Sequence, residues 1–176
     1  MDKRQAILDG ALEAAAFHKR LQDTGKSVFR NGSVDVYSAI DHVGIVLMFQ
    51  KLNSVLGFCI DDPAKGILVS TERPLSVRRF TAAHELGHML MGHHGSIDKE
   101  EDIVEYLDVD AVENPEMEIS ANSFASEFLQ PKNLVVQNLR SAGVKGPNEL
   151  DEFGIYGLSL KLGLSYKAVC WGLFSN

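Results

Sequence analysis

Two histidines four residues apart, with a glutamate directly after the first, constrain this chain more than any other feature. The segment reads His84-Glu85-Leu86-Gly87-His88 and lies in a stretch typical of an α-helix. Side chains four positions apart project from the same helix face, so both imidazoles can reach one metal ion. In a chain of this composition, about 0.014 such matches are expected by chance. The segment therefore predicts a metal site on a helix.

The residue types in this segment suit a zinc ion. Imidazole nitrogens are common zinc ligands, and a catalytic zinc takes three protein ligands plus water. Glu85 falls on the flank of the same face, where its carboxylate can accept a proton from water without binding the metal. We therefore expect His84 and His88 to bind one Zn²⁺ per chain and Glu85 to act as a general base. Mn²⁺ and Fe²⁺, which bind such ligands more weakly, stay open as alternatives.

A third ligand is expected from a second helix, which the sequence places over 115–129 between two prolines. Glu118 lies on a stripe of this helix that is otherwise mostly small and apolar. A carboxylate buried there needs a counter-charge, which a metal supplies. Asn122, one turn later, is placed to hydrogen-bond the free ring nitrogen of a ligand histidine. Two other acids are alternative third ligands: Glu116 and Glu113.

The remaining pattern predicts an α+β fold, because helices flank a small sheet of about three strands. The expected elements are an N-terminal helix over 4–22, a short helix over 33–42 capped by Ser33, two strands within 44–60 that form a hairpin or lie side by side, a strand over 66–70, the histidine helix over 76–91, an irregular segment over 92–114, the helix over 115–129, and helices within 132–176. We expect residues 1–131 to form one domain and residues 132–176 to form a helical segment packed on it.

Two segments resemble the ImmA/IrrE family of metallo-endopeptidases. They are residues 78–88, around the histidines, and residues 118–131, and the likeness extends over about 40–131. The resemblance implies a small zincin-like domain, similar to the thermolysin type. It also implies zinc ligation by His84, His88 and Glu118, with Glu85 as the general base. Gln130 departs from the family, whose members typically carry Leu-Leu-Met-Pro at the end of the second segment.

The same resemblance implies a function. Family members of this kind cleave a helix-turn-helix repressor, so we expect a zinc-dependent endopeptidase that relieves repression by cutting such a protein. The strand over 66–70 is expected to bind the extended substrate by strand addition. A non-catalytic repressor-binding module and a DNA-binding regulator are the alternatives. Four residues are candidates for stabilising the transition state: His93, His94, Tyr106 and Tyr37.

Charge and hydropathy limit the classes of binding partner that we expect. The formal net charge of −7 argues against direct binding to nucleic acid or to anionic membranes. Residues 148–174 have the outline of a helix-turn-helix, but the second helix offers Lys167 as its basic residue near the start, so DNA binding is not expected. The longest apolar run, residues 43–49, is too short to span a membrane. The first residues lack a signal peptide, and we expect a cytoplasmic protein.

Overall fold

In the computed structural model, which describes residues 2–53, 55–93, 97–99 and 114–174, the chain has the expected α+β fold. The helices are α1 (Lys3–Asp23), α2 (Val36–His42), α3 (Leu75–Met91), α4 (Pro115–Leu129), α5 (Lys132–Ser141), α6 (Glu152–Leu162) and α7 (Tyr166–Phe174). The strands are β1 (Phe29–Arg30), β2 (Ser33–Val34), β3 (Val46–Gln50), β4 (Val55–Ile60), β5 (Gly66–Ser70) and β6 (Ile97–Lys99). Among the described residues, no helix combines the length and apolar character that a membrane crossing requires.

The larger sheet corrects the expected strand order. Its order is β3-β5-β4-β6, with β5 parallel to β3 and antiparallel to β4. The two strands within 44–60 are therefore neither a hairpin nor neighbours, because β5 lies between them. Every residue of β5 is buried, as is typical of a central strand. Since β3 and β4 occupy both edges of β5, this strand cannot take up a substrate by strand addition.

Two further expectations are corrected in the connecting segments. Residues 92–114 were expected to be irregular, but 97–99 form the short strand β6, antiparallel to β4. The short helix α2 begins at Val36 rather than after Ser33, which belongs to β2. Asp35 caps the helix instead, since its carboxylate accepts hydrogen bonds from the Ser38 backbone N–H (3.1 Å) and hydroxyl (2.8 Å). Aspartate is among the strongest N-cap residues.

The crossing of α1 and α4 forms a large part of the hydrophobic core. Phe17 of α1 packs against Phe128 of α4, with ring centroids 5.4 Å apart. Gly10 lies where the two helices approach most closely, because a Cβ at this position would collide with the Ser120 carbonyl oxygen. The Ser123 hydroxyl donates a 2.6 Å hydrogen bond to a carbonyl of α1. This crossing fixes α4, which carries the proposed third ligand.

Two buried or half-buried polar side chains join the C-terminal helices to the rest. Arg79 of α3 donates hydrogen bonds to the carbonyls of Val34 (2.6 Å) and Gly163 (3.1 Å), at the end of α6. The Gln130 amide donates to the carbonyl of Ala168 in α7 at 2.8 Å. The residue that departs from the family pattern thus links α4 to α7. The domain division at residue 131 stays a prediction.

Candidate metal centre

Helix α3 carries the two histidines in the middle of the molecule. It begins after Pro74, ends at Gly92 in the left-handed conformation (φ 71°), and is buried throughout residues 80–88. One side packs on β4 and β5, and another packs on α4. A Cβ at Gly87 would lie 2.9 Å from the ring of Phe124, so the glycine permits the close approach of α4. The two helices therefore face each other across a narrow space.

Three side chains from α3 and α4 converge in that space. His84 and His88 are fully buried, and Glu118 is 3% exposed. The two Nε2 atoms are 2.9 Å apart, and the carboxylate oxygens of Glu118 lie 3.2 Å from His84 Nε2 and 3.4 Å from His88 Nε2. Each residue thus offers one atom to a common centre, and this group could hold a metal ion.

The spacing of these atoms fits a zinc ion. Bonds from zinc to nitrogen and oxygen of about 2.0–2.1 Å place tetrahedral ligands about 3.3 Å from one another. The two Nε2 atoms are 2.9 Å apart, and the nearest Glu118 oxygens, Oε2 for His84 and Oε1 for His88, lie 3.2 and 3.4 Å from these nitrogens, which is close to that value. Two imidazoles and one carboxylate are also a donor set found in catalytic zinc sites. The residues present therefore fit the metal without rearrangement of the two helices.

Hydrogen bonds on the far side of each ring orient the two histidines. Asn122 Oδ1 lies 2.9 Å from His84 Nδ1. Because an amide oxygen only accepts, Nδ1 carries the proton and the Nε2 lone pair points to the centre. His88 Nδ1 lies 3.1 Å from His93 Nδ1, so the His93 ring touches the edge of His88 that faces away from Glu118. Such partners fix the tautomer that a metal ligand needs.

The pKa of the Glu118 carboxyl is set by burial and by the two neighbouring imidazoles. Burial alone would raise its pKa, but the adjacent imidazoles of His84 and His88 outweigh burial and hold the pKa well below its usual range. A charged carboxylate within the protein interior needs a positive partner. A divalent cation between the three side chains would supply that charge.

Glu85 is fully buried beside this group, on the side of α3 that faces the sheet. A Cβ on Gly57 of β4 would lie 3.1 Å from Glu85 Oε1 and 2.6 Å from Thr81 Cγ2. The bare backbone of β4 at Gly57 therefore leaves room for the Glu85 side chain. Sequence reasoning missed this contact, although a glycine within an apolar strand often marks a close approach.

Of the remaining candidate ligands and transition-state stabilisers, some lie within the described residues and others lie outside them. Glu116 is partly exposed, and among the described residues it is Glu118 that completes the histidine group. Tyr37 packs edge-on against Phe49 of β3, with ring centroids 5.4 Å apart. Its role in the transition state stays a prediction, as does that of His93. Three candidates lie outside the described residues: His94, Tyr106 and Glu113.

Replacing Asn122 by leucine should lower zinc affinity by about 10–100-fold, because His84 then loses the partner that fixes its tautomer. Asn122→Asp should retain the affinity, since the carboxylate still accepts from Nδ1. Asn138→Leu is the matched control, because Asn138 is equally buried but donates to the carbonyls of Gly32 and Leu134. Competition with a chromophoric chelator measures the affinity. Equal losses in both leucine variants would contradict the proposed role.

Two crossing helices with a buried His-His-Glu group, one of them carrying the histidine-glutamate motif, define a zincin-like domain. The model of the IrrE N-terminal-like domain matches residues 40–170, which is most of the chain. The chain therefore belongs to the ImmA/IrrE family of metallopeptidases, and the resemblance noted from the sequence is confirmed. No curated protein matches the chain.

Proposed function

We propose that this metallopeptidase is a zinc-dependent endopeptidase that cleaves a helix-turn-helix transcriptional repressor and so relieves repression. One observation carries the proposal: three buried ligand atoms converge at zinc-like spacing, with a buried glutamate next to the first histidine. Family membership supports peptide hydrolysis as the chemistry. We infer the specific metal, the residue roles and the substrate.

In this proposal His84, His88 and Glu118 hold the metal. When bound, zinc supplies Lewis-acid chemistry, which acidifies water and polarises a peptide carbonyl. Asn122 keeps the His84 ring in the orientation that leaves Nε2 free to bind. The burial of all three ligands excludes bulk water from their side of the centre, which strengthens the electrostatic interactions there.

Glu85 transfers a proton from the attacking water to the leaving amine. Its carboxylate accepts a proton from the attacking water as the water oxygen bonds to the peptide carbonyl carbon. The same carboxyl then delivers that proton to the nitrogen of the leaving amine as the C–N bond breaks. Glu85 is fully buried next to the first histidine, so bulk water does not compete for its carboxylate.

The charge of the chain supports a basic protein as substrate. The net charge of −7 complements the basic surface that a DNA-binding repressor presents to nucleic acid. Electrostatic attraction of this kind speeds association and depends on salt concentration. The same charge disfavours the alternative of a DNA-binding regulator. Helix α7, the second of the C-terminal pair, has Lys167 as its basic residue.

The test is incubation of the zinc-loaded protein with a helix-turn-helix repressor encoded beside it, followed by mass spectrometry of the intact products. The proposal expects two fragments that sum to the repressor plus one water. A chelator should stop cleavage, and added zinc should restore it. Tight binding of the repressor without fragments would favour the non-catalytic binding module instead.

A further inference from the structure

A hollow lies between the C-terminal helices, apart from the candidate metal centre. Its volume is about 350 Å³, and it is bordered by the end of α4, by α5, by residues 145–147 and by the end of α7. None of the three converging ligand residues lines it. Small-molecule sites in proteins have volumes of about 300–1,000 Å³. The hollow is therefore large enough to hold a small ligand.

Apolar side chains form the floor of this hollow. Val135, Val136 and Leu139 of α5 line it, and Leu173 adds a side chain from the end of α7. Val135 and Leu139 are buried, whereas Val136 and Leu173 are only partly covered by the rest of the chain. Contact with an apolar group would remove the remaining exposed surface from water, which favours binding. The floor therefore suits the apolar part of a ligand.

The rim of the hollow carries an excess of positive charge. Lys132 and Lys145 line it and are both exposed, whereas Glu127 is the single carboxylate of the lining. Burial raises the pKa of the Glu127 carboxyl, and the nearby charge of Lys132 lowers it in part. Across the described residues, the ammonium group of Lys145 has no carboxylate within ion-pair distance. In a chain with a net charge of −7, this local excess of positive charge favours a ligand with a carboxylate.

Gln130, at the junction of α4 and α5, offers a buried hydrogen-bond acceptor beside the hollow. It is 5% exposed, and its Nε2 donates to Ser126 Oγ (3.2 Å) and to the Ala168 carbonyl (2.8 Å). A Cβ on Gly172 would collide with this amide, so the glycine lets the Gln130 side chain lie against α7. Among the described residues, none donates a hydrogen bond to Gln130 Oε1. Such a buried acceptor is costly unless it gains a donor.

Two spaces next to Gln130 have room for that donor. One is the hollow, which Gln130 lines together with the two lysines. The other is a space of about 20 Å³ that is also lined by Gln130 and has room for one water molecule. Ligand analogues with and without an N–H group distinguish a donor on the ligand from a water molecule.

We propose that the hollow binds a free amino acid with a large apolar side chain. Its carboxylate pairs with Lys132 and Lys145, its ammonium group donates to Gln130 Oε1, and its side chain covers the apolar floor. A carboxylate without a donor would leave Gln130 Oε1 unsatisfied, and an amine without a carboxylate would leave the excess positive charge of the rim unpaired. That excess fits a monocarboxylate better than a polyphosphate. Binding requires neither the metal nor peptide hydrolysis.

Titration of the ¹⁵N-labelled full chain with L-leucine, L-methionine and L-phenylalanine, followed by NMR, tests the proposal. Amide shifts should concentrate at Gly146, Gly172 and Leu173, which line the hollow, and should be equal with and without a chelator. L-Leucinamide lacks the carboxylate and 4-methylpentanoate lacks the amine, so each should bind at least about tenfold more weakly than L-leucine. No shifts with any of the three amino acids would overturn the proposal. Equal binding of 4-methylpentanoate would assign the donor to water and would overturn it as well.

Charge removal at the rim gives a second, independent test. Lys132→Gln combined with Lys145→Gln should raise the dissociation constant for L-leucine at least about tenfold, because the carboxylate loses both positive partners. Lys19→Gln combined with Lys26→Gln is the matched control, since both lysines are exposed and lie outside the hollow. The control should bind L-leucine as the wild type does. Unchanged binding in the first double variant, or equal losses in both, would overturn the proposal.

Discussion

Replacing Glu85 by glutamine should lower cleavage of the repressor by about a thousandfold and leave bound zinc unchanged. Glutamine keeps the size of the side chain, and it therefore fits the space beside Gly57. An amide cannot accept the proton that the attacking water must lose. Because Glu85 is not one of the three proposed ligands, the metal should remain. Single-turnover cleavage rates and metal content, measured on the same preparations, separate these two effects.

Glu127→Gln is the matched control for this variant. Glu127 is a partly buried glutamate of α4, and burial raises the pKa of its carboxyl. It is not among the residues that converge on the proposed metal position. The control should cleave at the wild-type rate. Wild-type cleavage by the Glu85→Gln variant would contradict the assignment of the general base, whatever its metal content.

Replacing Gly10 by alanine should destabilise the fold by about 3 kcal/mol or more. The added Cβ would collide with the Ser120 carbonyl oxygen and would lie 2.9 Å from Phe124 N. Both contacts are with backbone of α4, which cannot yield as a flexible side chain can. The helices must then separate, and their packing, including that of Phe17 on Phe128, is lost in part. Urea unfolding followed by circular dichroism measures the change.

Gly157→Ala is the control, because it adds the same methyl group within a helix where the described structure has open space. It should raise the free energy of unfolding by about 0.5–1 kcal/mol. If Gly10→Ala were as stable as this control, the close crossing of α1 and α4 would be wrong. Comparing Gly10→Ala with Gly157→Ala therefore separates the effect of the steric collision on stability from the effect of helix propensity.

Local sequence periodicity was enough to bring the proposed site together. His84 and His88 share a face because they are one helical turn apart, and Glu118 stood out as a carboxylate on an apolar stripe. Their meeting required only that the buried faces of two helices pack together. The contact of His93 with His88 could also have been predicted from the sequence, because a glycine that ends a helix turns the chain back. Gly92 ends α3 in the left-handed conformation, and the His93 N–H then bonds back to the His88 carbonyl at 2.9 Å.

The strand order was not readable in this way. Strands β3, β4 and β5 are all short apolar runs, and pairing between strands depends on contacts that are distant in the sequence. A hairpin between β3 and β4 was therefore as compatible with the sequence as the observed insertion of β5. Gly57 behind Glu85 was missed for the same reason. The role of Gly57 depends on which helix packs against β4, and the local sequence around Gly57 does not determine that packing.

The central claim is that His84, His88 and Glu118 bind one metal ion. Elemental mass spectrometry of the purified protein and of Glu118→Ala, each incubated with zinc and then exchanged into metal-free buffer, tests it most directly. We expect one zinc ion per wild-type chain, and a loss or marked weakening of zinc binding in the variant. Zinc retained equally by Glu118→Ala would show that the third ligand is wrong. A wild-type protein that holds no metal after incubation with zinc would contradict the account as a whole.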